Sequence, residues 1–182
     1  VVNAAQAAHV VGAYYPRRLN DLWAAVGEVP DPEIPAVNLN DLGIVRDVRL
    51  ALDGVAEVVI TPTYSGCPAT EAIRADVLAV AHEFDPRARV IIELAPAWTT
   101  DWITPTGRTK LAEYGIAPPS ATRAGPIPIK LGFGRPEADI QVRCPQCGSV
   151  DTEVISKFGS TPCKALRRCR GCLEPFDEFK SI

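Results

Sequence analysis

Five of the six cysteines in this 182-residue chain follow residue 143, and four of them form two Cys-x-x-Cys pairs. Cys144-Pro-Gln-Cys147 and Cys169-Arg-Gly-Cys172 are separated by 21 residues, close to zinc-ribbon spacing. Two cysteines three apart on a tight turn can grip one ion together. Two such turns complete a tetrahedron of sulfur around it. Gly148 suits the turn after the first pair. The spacing predicts one bound ion, Zn²⁺ in the first instance. Soft four-sulfur sites do not separate zinc from iron by sequence, so iron or an iron–sulfur cluster stands as the alternative. Cys163 is surplus to four ligands and is a packing residue, an extra or substitute ligand, or a sign that the module holds an iron–sulfur cluster.

The sixth cysteine lies in Tyr64-Ser-Gly-Cys-Pro-Ala-Thr-Glu71, between an alternating apolar run and a helical pattern. Gly66 permits a tight turn there, and Pro68 suits a first helical position. That reading makes Cys67 the helix N-cap, where a thiol is biased toward thiolate. The plainer alternative is a small apolar residue at a strand–helix corner. Asp31, Glu33 and Asp41 are the acids expected near it. Taken alone, they read as turn and cap residues.

The elements that must position these groups follow from periodicity. Leu19, Leu22, Trp23 and Val26 recur at helical spacing behind Asn20, a reasonable cap, and Pro30, Pro32 and Pro35 stop that helix. Ile44 to Leu52 alternates as a strand with Ile44, Val48, Leu50 and Leu52 on its apolar side. Asp53-Gly54 is a hairpin signal, and a second strand runs from about 55 to 63. A helix with Ile73, Val77, Val80 and Phe84 on one face follows. Then come a β-branched strand over 89–95 and a short helix over 106–115 ending at Gly115. The order α-β-β-α-β-α over 18–116 predicts an α+β domain, a small sheet covered by helices. Residues 1–17 read as a flexible tail, 117–142 as a Pro/Gly-rich linker, and 143–182 as the zinc-ribbon module. In that module 154–158 and 174–179 are expected as strands. Phe158, Phe176 and Phe179 are its expected apolar core. So small a unit draws much of its folding energy from metal.

Composition narrows the function. Hydrophobic residues make up 47% and charged residues 23%, as in an ordinary globular protein. The net charge of −3 is a poor match for nucleic acid or an anionic membrane. Lys164, Arg167, Arg168 and Arg170 could form a nucleic-acid patch, but offsetting the charge of four thiolates or lining a solvated face is the simpler role. The apolar start of the chain is short, broken by Asn3, Gln6 and His9, and suits neither a spanning helix nor a signal peptide. Only two histidines are present, His9 and His82, and no nucleophile–histidine triad, phosphate loop or di-iron Glu-x-x-His pair stands out.

Asp31-Pro-Glu-Ile-Pro35, Asp41-Leu-Gly-Ile-Val45 and Thr61-Pro-Thr-Tyr-Ser-Gly-Cys-Pro68 resemble the domain of iron–sulfur assembly and targeting factors. Trp98-Thr-Thr-Asp-Trp102, Gly107 to Pro119, Phe158 to Leu166 and Glu174 to Lys180 resemble the D components of bacterial phenylacetyl-CoA epoxidase systems. The resemblance covers about residues 18–182. It implies a cytoplasmic, non-catalytic accessory subunit of a multicomponent ring-1,2-epoxidase in aerobic phenylacetate breakdown. Its role would be to mature or assemble the system's di-iron or iron–sulfur centres. Implied partners are the other epoxidase subunits and the iron or iron–sulfur delivery machinery, with homodimerisation through the N-terminal domain. Cys67, Asp41 and Glu33 carry over as a transient metal site, and Cys144, Cys147, Cys169 and Cys172 as the terminal metal ligands. An iron–thiolate or iron–sulfur electron carrier of the same complex is the competing expectation.

Overall fold

A computed structural model describes residues 18–119 and 141–182. The expected tail over 1–17 and most of the expected linker lie outside them. The described chain divides into two units after Trp98.

The first unit opens with helix α1 over 18–27, which buries Leu22 and Val26 one turn apart. The chain is already helical at 18, so Asn20 lies inside the helix and is not its cap, and Trp23 remains exposed. The Pro-rich segment then folds on its acids. Asp31 Oδ1 accepts from the backbone N–H of Glu33 (2.9 Å) and Ile34 (2.8 Å). Asn38 and Asp41 cap each other: the Asn38 N–H donates to Asp41 Oδ2 (3.2 Å), and the Asp41 N–H to Asn38 Oδ1 (2.7 Å). These bonds satisfy backbone donors that would otherwise be lost in a buried loop, so Ile34, Val37, Leu39 and Leu42 can pack inward.

Strand β1 (Val45–Leu50) pairs antiparallel with β2 (Ala56–Ile60) across the Asp53-Gly54 turn, where Gly54 has φ +75°. A register shift between Val45 and Asp47 breaks the alternation of β1. The expected apolar side therefore holds only at its start: Ile44 is buried, but Leu50 and Leu52 are exposed. Helix α2 (Thr70–Phe84) buries Ile73, Val77 and Ala81, and returns the chain to β3 (Arg89–Ile92), parallel to β2. The sheet order is β1-β2-β3. The central strand buries three consecutive residues, Val58, Val59 and Ile60, because both its faces are covered.

The second unit holds a 3₁₀ turn at Thr100–Trp102, helix α3 (Pro105–Glu113) and strands β4 (Ile116–Ala117), β5 (Thr152–Ser156), β6 (Lys164–Cys169) and β7 (Pro175–Phe179). Thr104 caps α3, its hydroxyl accepting from the Gly107 N–H at 2.9 Å, and Gly115 follows the helix with φ +91°. The sheet order is β4-β7-β6-β5. β4 pairs parallel with β7, so α3 and β4, expected with the first domain, share a unit with the cysteine module. The inner strand β6 falls on the basic run, where periodicity predicts no strand. Phe176 and Phe179 are buried as expected, whereas Phe158 is exposed, with Lys180 Nζ 4.9 Å from its ring centre.

Candidate metal centre

The two Cys-x-x-Cys turns are built alike. In the first, the Gly148 N–H donates to the Cys144 carbonyl (2.9 Å), and the Cys144 N–H to the Ser149 carbonyl (2.9 Å). In the second, the N–H groups of Gly171 (3.3 Å) and Cys172 (3.4 Å) point at Cys169 Sγ. The residue after each pair takes the left-handed conformation, Gly148 at φ +75° and Leu173 at φ +67°.

These turns bring Cys144, Cys147, Cys169 and Cys172 together with all four sulfurs within 4.8 Å of one another. Cys144 and Cys172 are 3.7 Å apart, and Cys147 and Cys169 are 3.5 Å apart. A disulfide needs about 2.05 Å, so neither pair is bonded. Tetrahedral zinc with bonds of about 2.3 Å holds its sulfurs about 3.8 Å apart, and the cluster fits that size. It fits one ion better than a polynuclear cluster, whose four cysteines are spread over two or four irons and so stand farther apart as a set. The residues that would hold the ion are these four thiolates, and they close the coordination shell. The Cys172 N–H, followed by the Cys147 thiol and the Gly171 N–H, brings the Cys169 thiol down to about 6 against the effect of burial. The Glu174 N–H pulls Cys172 down, but burial and the sulfurs of Cys147, Cys169 and Cys144 push it up to about 12. One sulfur of the group is thus prepared to carry negative charge before an ion arrives. Among the described residues this is the one group of three or more His, Cys, Asp or Glu placed to hold a metal.

Cys163 is not part of that group. It precedes β6, whereas Cys169 ends it, and six residues of strand amount to roughly 20 Å. Its sulfur instead lies 3.1 Å from the Thr161 hydroxyl. The basic residues are also corrected. Lys164 and Arg167 are buried on β6, paired with Asp177 (3.7 Å) and Glu178 (2.7 Å). Arg168 and Arg170 share Glu153, at 2.6 Å and 2.8 Å. All four cations have acidic partners within the unit, which removes the basis for a nucleic-acid patch.

In the first unit, the segments before β1, after β2 and after β3 all leave one end of the sheet. They carry Asp41, Cys67 and Trp98. Trp98 pins its segment to the Asp41 loop through an indole N–H bond to the Leu42 carbonyl at 2.9 Å. Cys67 is half-buried in a turn whose N–H bonds to the Tyr64 carbonyl (3.0 Å). Helix α2 begins only at Thr70, with Ala69 at the N-cap position, so Cys67 is not the cap the spacing predicts. The Thr70 N–H bonds to the Cys67 carbonyl at 3.2 Å, and this extra turn delays the helix. Asp41 is buried and engaged in its loop, whereas Glu33 is exposed.

A protein of Escherichia coli strain K12, named for the D component of 1,2-phenylacetyl-CoA epoxidase, is 46% identical to this chain over 171 residues, covering 92% of this chain and 95% of the relative. The chain belongs to the family of phenylacetyl-CoA epoxidase D components. The PaaD zinc beta ribbon domain model matches residues 132–180, spanning the four cysteines and β5 to β7. The iron–sulfur cluster assembly protein model matches residues 19–93, which run from α1 through β3. This D-family chain is also similar to an Fe-S protein maturation auxiliary factor of Porphyromonas gingivalis, 35% identical over 86 residues, 46% of this chain and 81% of that protein. A solved domain of unknown function from Bacillus anthracis is 28% identical, with TM-score 0.47, over 53% of this chain and 92% of that one.

Proposed function

We propose that this chain is an accessory factor that matures the metal centres of a phenylacetyl-CoA epoxidase and does not itself oxygenate the ring. The observation that carries the reading is the joining of an iron–sulfur cluster assembly domain to a D-family zinc ribbon in one chain. The chemistry of the ribbon supports it. Four thiolates saturate a tetrahedral ion and leave no open position for substrate, as in structural rather than catalytic sites. The working group is then in the first unit. Cys67, half-buried at the sheet end that Asp41 shares, is the thiol that handles iron as cargo. Glu33 supplies an exposed carboxylate, and Asp41 holds the loop and lends its charge. The other epoxidase subunits are the clients and an iron or iron–sulfur delivery protein the donor, in the cytoplasm. Two copies associate through the first unit. Among the described residues, no helix is long and apolar enough to cross a membrane.

The test is to produce the epoxidase subunits in cells with and without this chain, then measure iron content and activity of the purified oxygenase. Loss of iron without the chain, reproduced by both Cys67→Ser and Cys67→Ala, is the expected result. Full iron content in its absence would overturn the assignment, and full rescue by the serine variant would remove Cys67 from it. The same four thiolates would also hold a single redox iron, which keeps the electron-carrier reading in play. Protein purified without oxygen distinguishes the two, because iron–thiolate absorbs visible light and zinc–thiolate does not.

A further inference from the structure

We propose that Trp98 is a positioning residue for the Cys67 end of the first unit: its indole holds the Asp41 loop so that the Asp41 charge meets an ion carried by Cys67. This rests on reading that end of the sheet as an iron-handling site. The cap that Asp41 forms with Asn38 is local, spanning three residues. Such a cap sets the shape of a turn but not where the turn sits. Backbone bonds tie the two ends of the loop. The Leu39 N–H donates to the Val29 carbonyl (2.9 Å), the Asn40 N–H to the Gly27 carbonyl (3.0 Å), and the Thr61 N–H to the Ile44 carbonyl (2.9 Å). Between those ends, the Trp98 indole N–H reaches the Leu42 carbonyl at 2.9 Å from 56 residues away.

The place of that bond gives it its role. Leu42 directly follows Asp41, and Gly43 comes next at φ +65°. Glycine has the widest conformational freedom of any residue, so the carbonyl before it can rotate unless something holds it. Leu42 is 1% exposed and Trp98 4%, so water is a poor substitute for either partner. A phenylalanine would fill much of the same space, but only the indole adds a directed donor. The bond also spans the right distance across the fold. β1 and β3 are the outer strands of the sheet, and the bond joins the segment before β1 to the segment after β3. The Cys67 segment leaves the middle strand, β2, at the same end.

The test uses the full chain with its ribbon loaded with zinc, which such a site holds more tightly than cobalt. Co²⁺ is then titrated in. The thiolate-to-cobalt absorption that Cys67→Ser abolishes reports the ion at Cys67. Two replacements of Trp98 are compared: Trp98→Phe, and benzothienylalanine, which keeps the ring shape but lacks the N–H. Each should weaken Co²⁺ binding about tenfold or more and speed amide exchange of residues 42 to 44 to a similar degree, with exchange in α2 unchanged. Asp41→Asn can still cap Asn38 but has no charge. It should weaken binding in the parent and hardly further in the benzothienylalanine chain, because a charge no longer held in place has little left to lose. A general loss of stability would instead add to the effect of Asp41→Asn. Parent-like Co²⁺ binding or loop exchange without the N–H, or additive losses in the double variant, would overturn the role of Trp98 and leave the Cys67 site standing. A parent chain with no absorption that depends on Cys67 would overturn the site itself, and the role of Trp98 with it.

Discussion

Arg167 and Glu178 provide a quantitative test of how the second unit is held together. Their side chains meet at 2.7 Å between β6 and β7, and they are only 5% and 12% exposed. Removing one member of such a pair leaves the other charged, buried and poorly solvated, at a cost of about 3–5 kcal/mol. Replacing both with apolar groups of similar size removes the stranded charge, and often costs nothing. Arg167→Met and Glu178→Leu should therefore each destabilise strongly, while the double variant recovers most of the loss. The chain has two units and need not unfold in one step, so a whole-protein melting curve is the wrong measurement. Amide hydrogen exchange of the segment 164–179 reports on the second unit directly. Each single variant should speed exchange there by roughly two to nearly four orders of magnitude, since about 1.4 kcal/mol is tenfold. The double variant should stay within about tenfold of the parent, and exchange in α2 should not change. Single variants that shift exchange less than tenfold, or a double variant as fast as the product of the singles, would refute the reasoning.

Three further outcomes follow from named groups. Chelation of the ion should unfold β5 to β7, whose apolar cluster of Ala117, Val142 and Phe176 incorporates the ligands Cys144 and Cys169, while α1 to β3 keep their proteolytic resistance. Leu173→Gly should stabilise the second unit by up to about 1 kcal/mol, and Gly148→Ala should destabilise it by about 1–2 kcal/mol, in exchange or chelator-challenge assays. Both positions are left-handed, Leu173 is exposed, and an added methyl at Gly148 meets nothing within 4 Å, so backbone conformation alone is at stake. The Arg87 N–H, and then the Ala56 N–H, hold the Asp85 carboxyl below its usual range. Its contribution is therefore present above the unfolded value of about 3.9 and is lost as pH falls through the lower folded value. Asp85→Asn should lower the unfolding temperature of the first unit at pH 7, and the gap should narrow below about pH 4.

The groups that could be read from the chain are those whose reasons are local. Asp53-Gly54 makes its hairpin because a left-handed glycine is needed there, and two Cys-x-x-Cys turns converge because each already holds half a coordination shell. Periodicity finds α2, but not its first residue: Pro68 suits a helix start, yet the Cys67–Thr70 turn intervenes. Long-range pairing hides more. Lys164-Ala-Leu-Arg-Arg-Cys169 looks like a solvated basic run because charge usually means surface. It is an inner strand of its sheet because Asp177 and Glu178, brought alongside by β7, neutralise Lys164 and Arg167 in the interior. The same pairing of distant segments draws α3 and β4 into the second unit, since Ile116 and Ala117 pair with Asp177 and Glu178. The acids of the first unit show the opposite limit. Asp31 and Asp41 sit in motifs that suggest metal chemistry, yet their visible bonds go to backbone N–H groups of their own turns. Hydrogen bonds of this kind are compatible with metal binding, because the two oxygens of a carboxylate carry about four lone pairs. The four-sulfur cluster is prepared differently: amide N–H groups already point at Cys169, so binding an ion would strengthen what the fold has arranged.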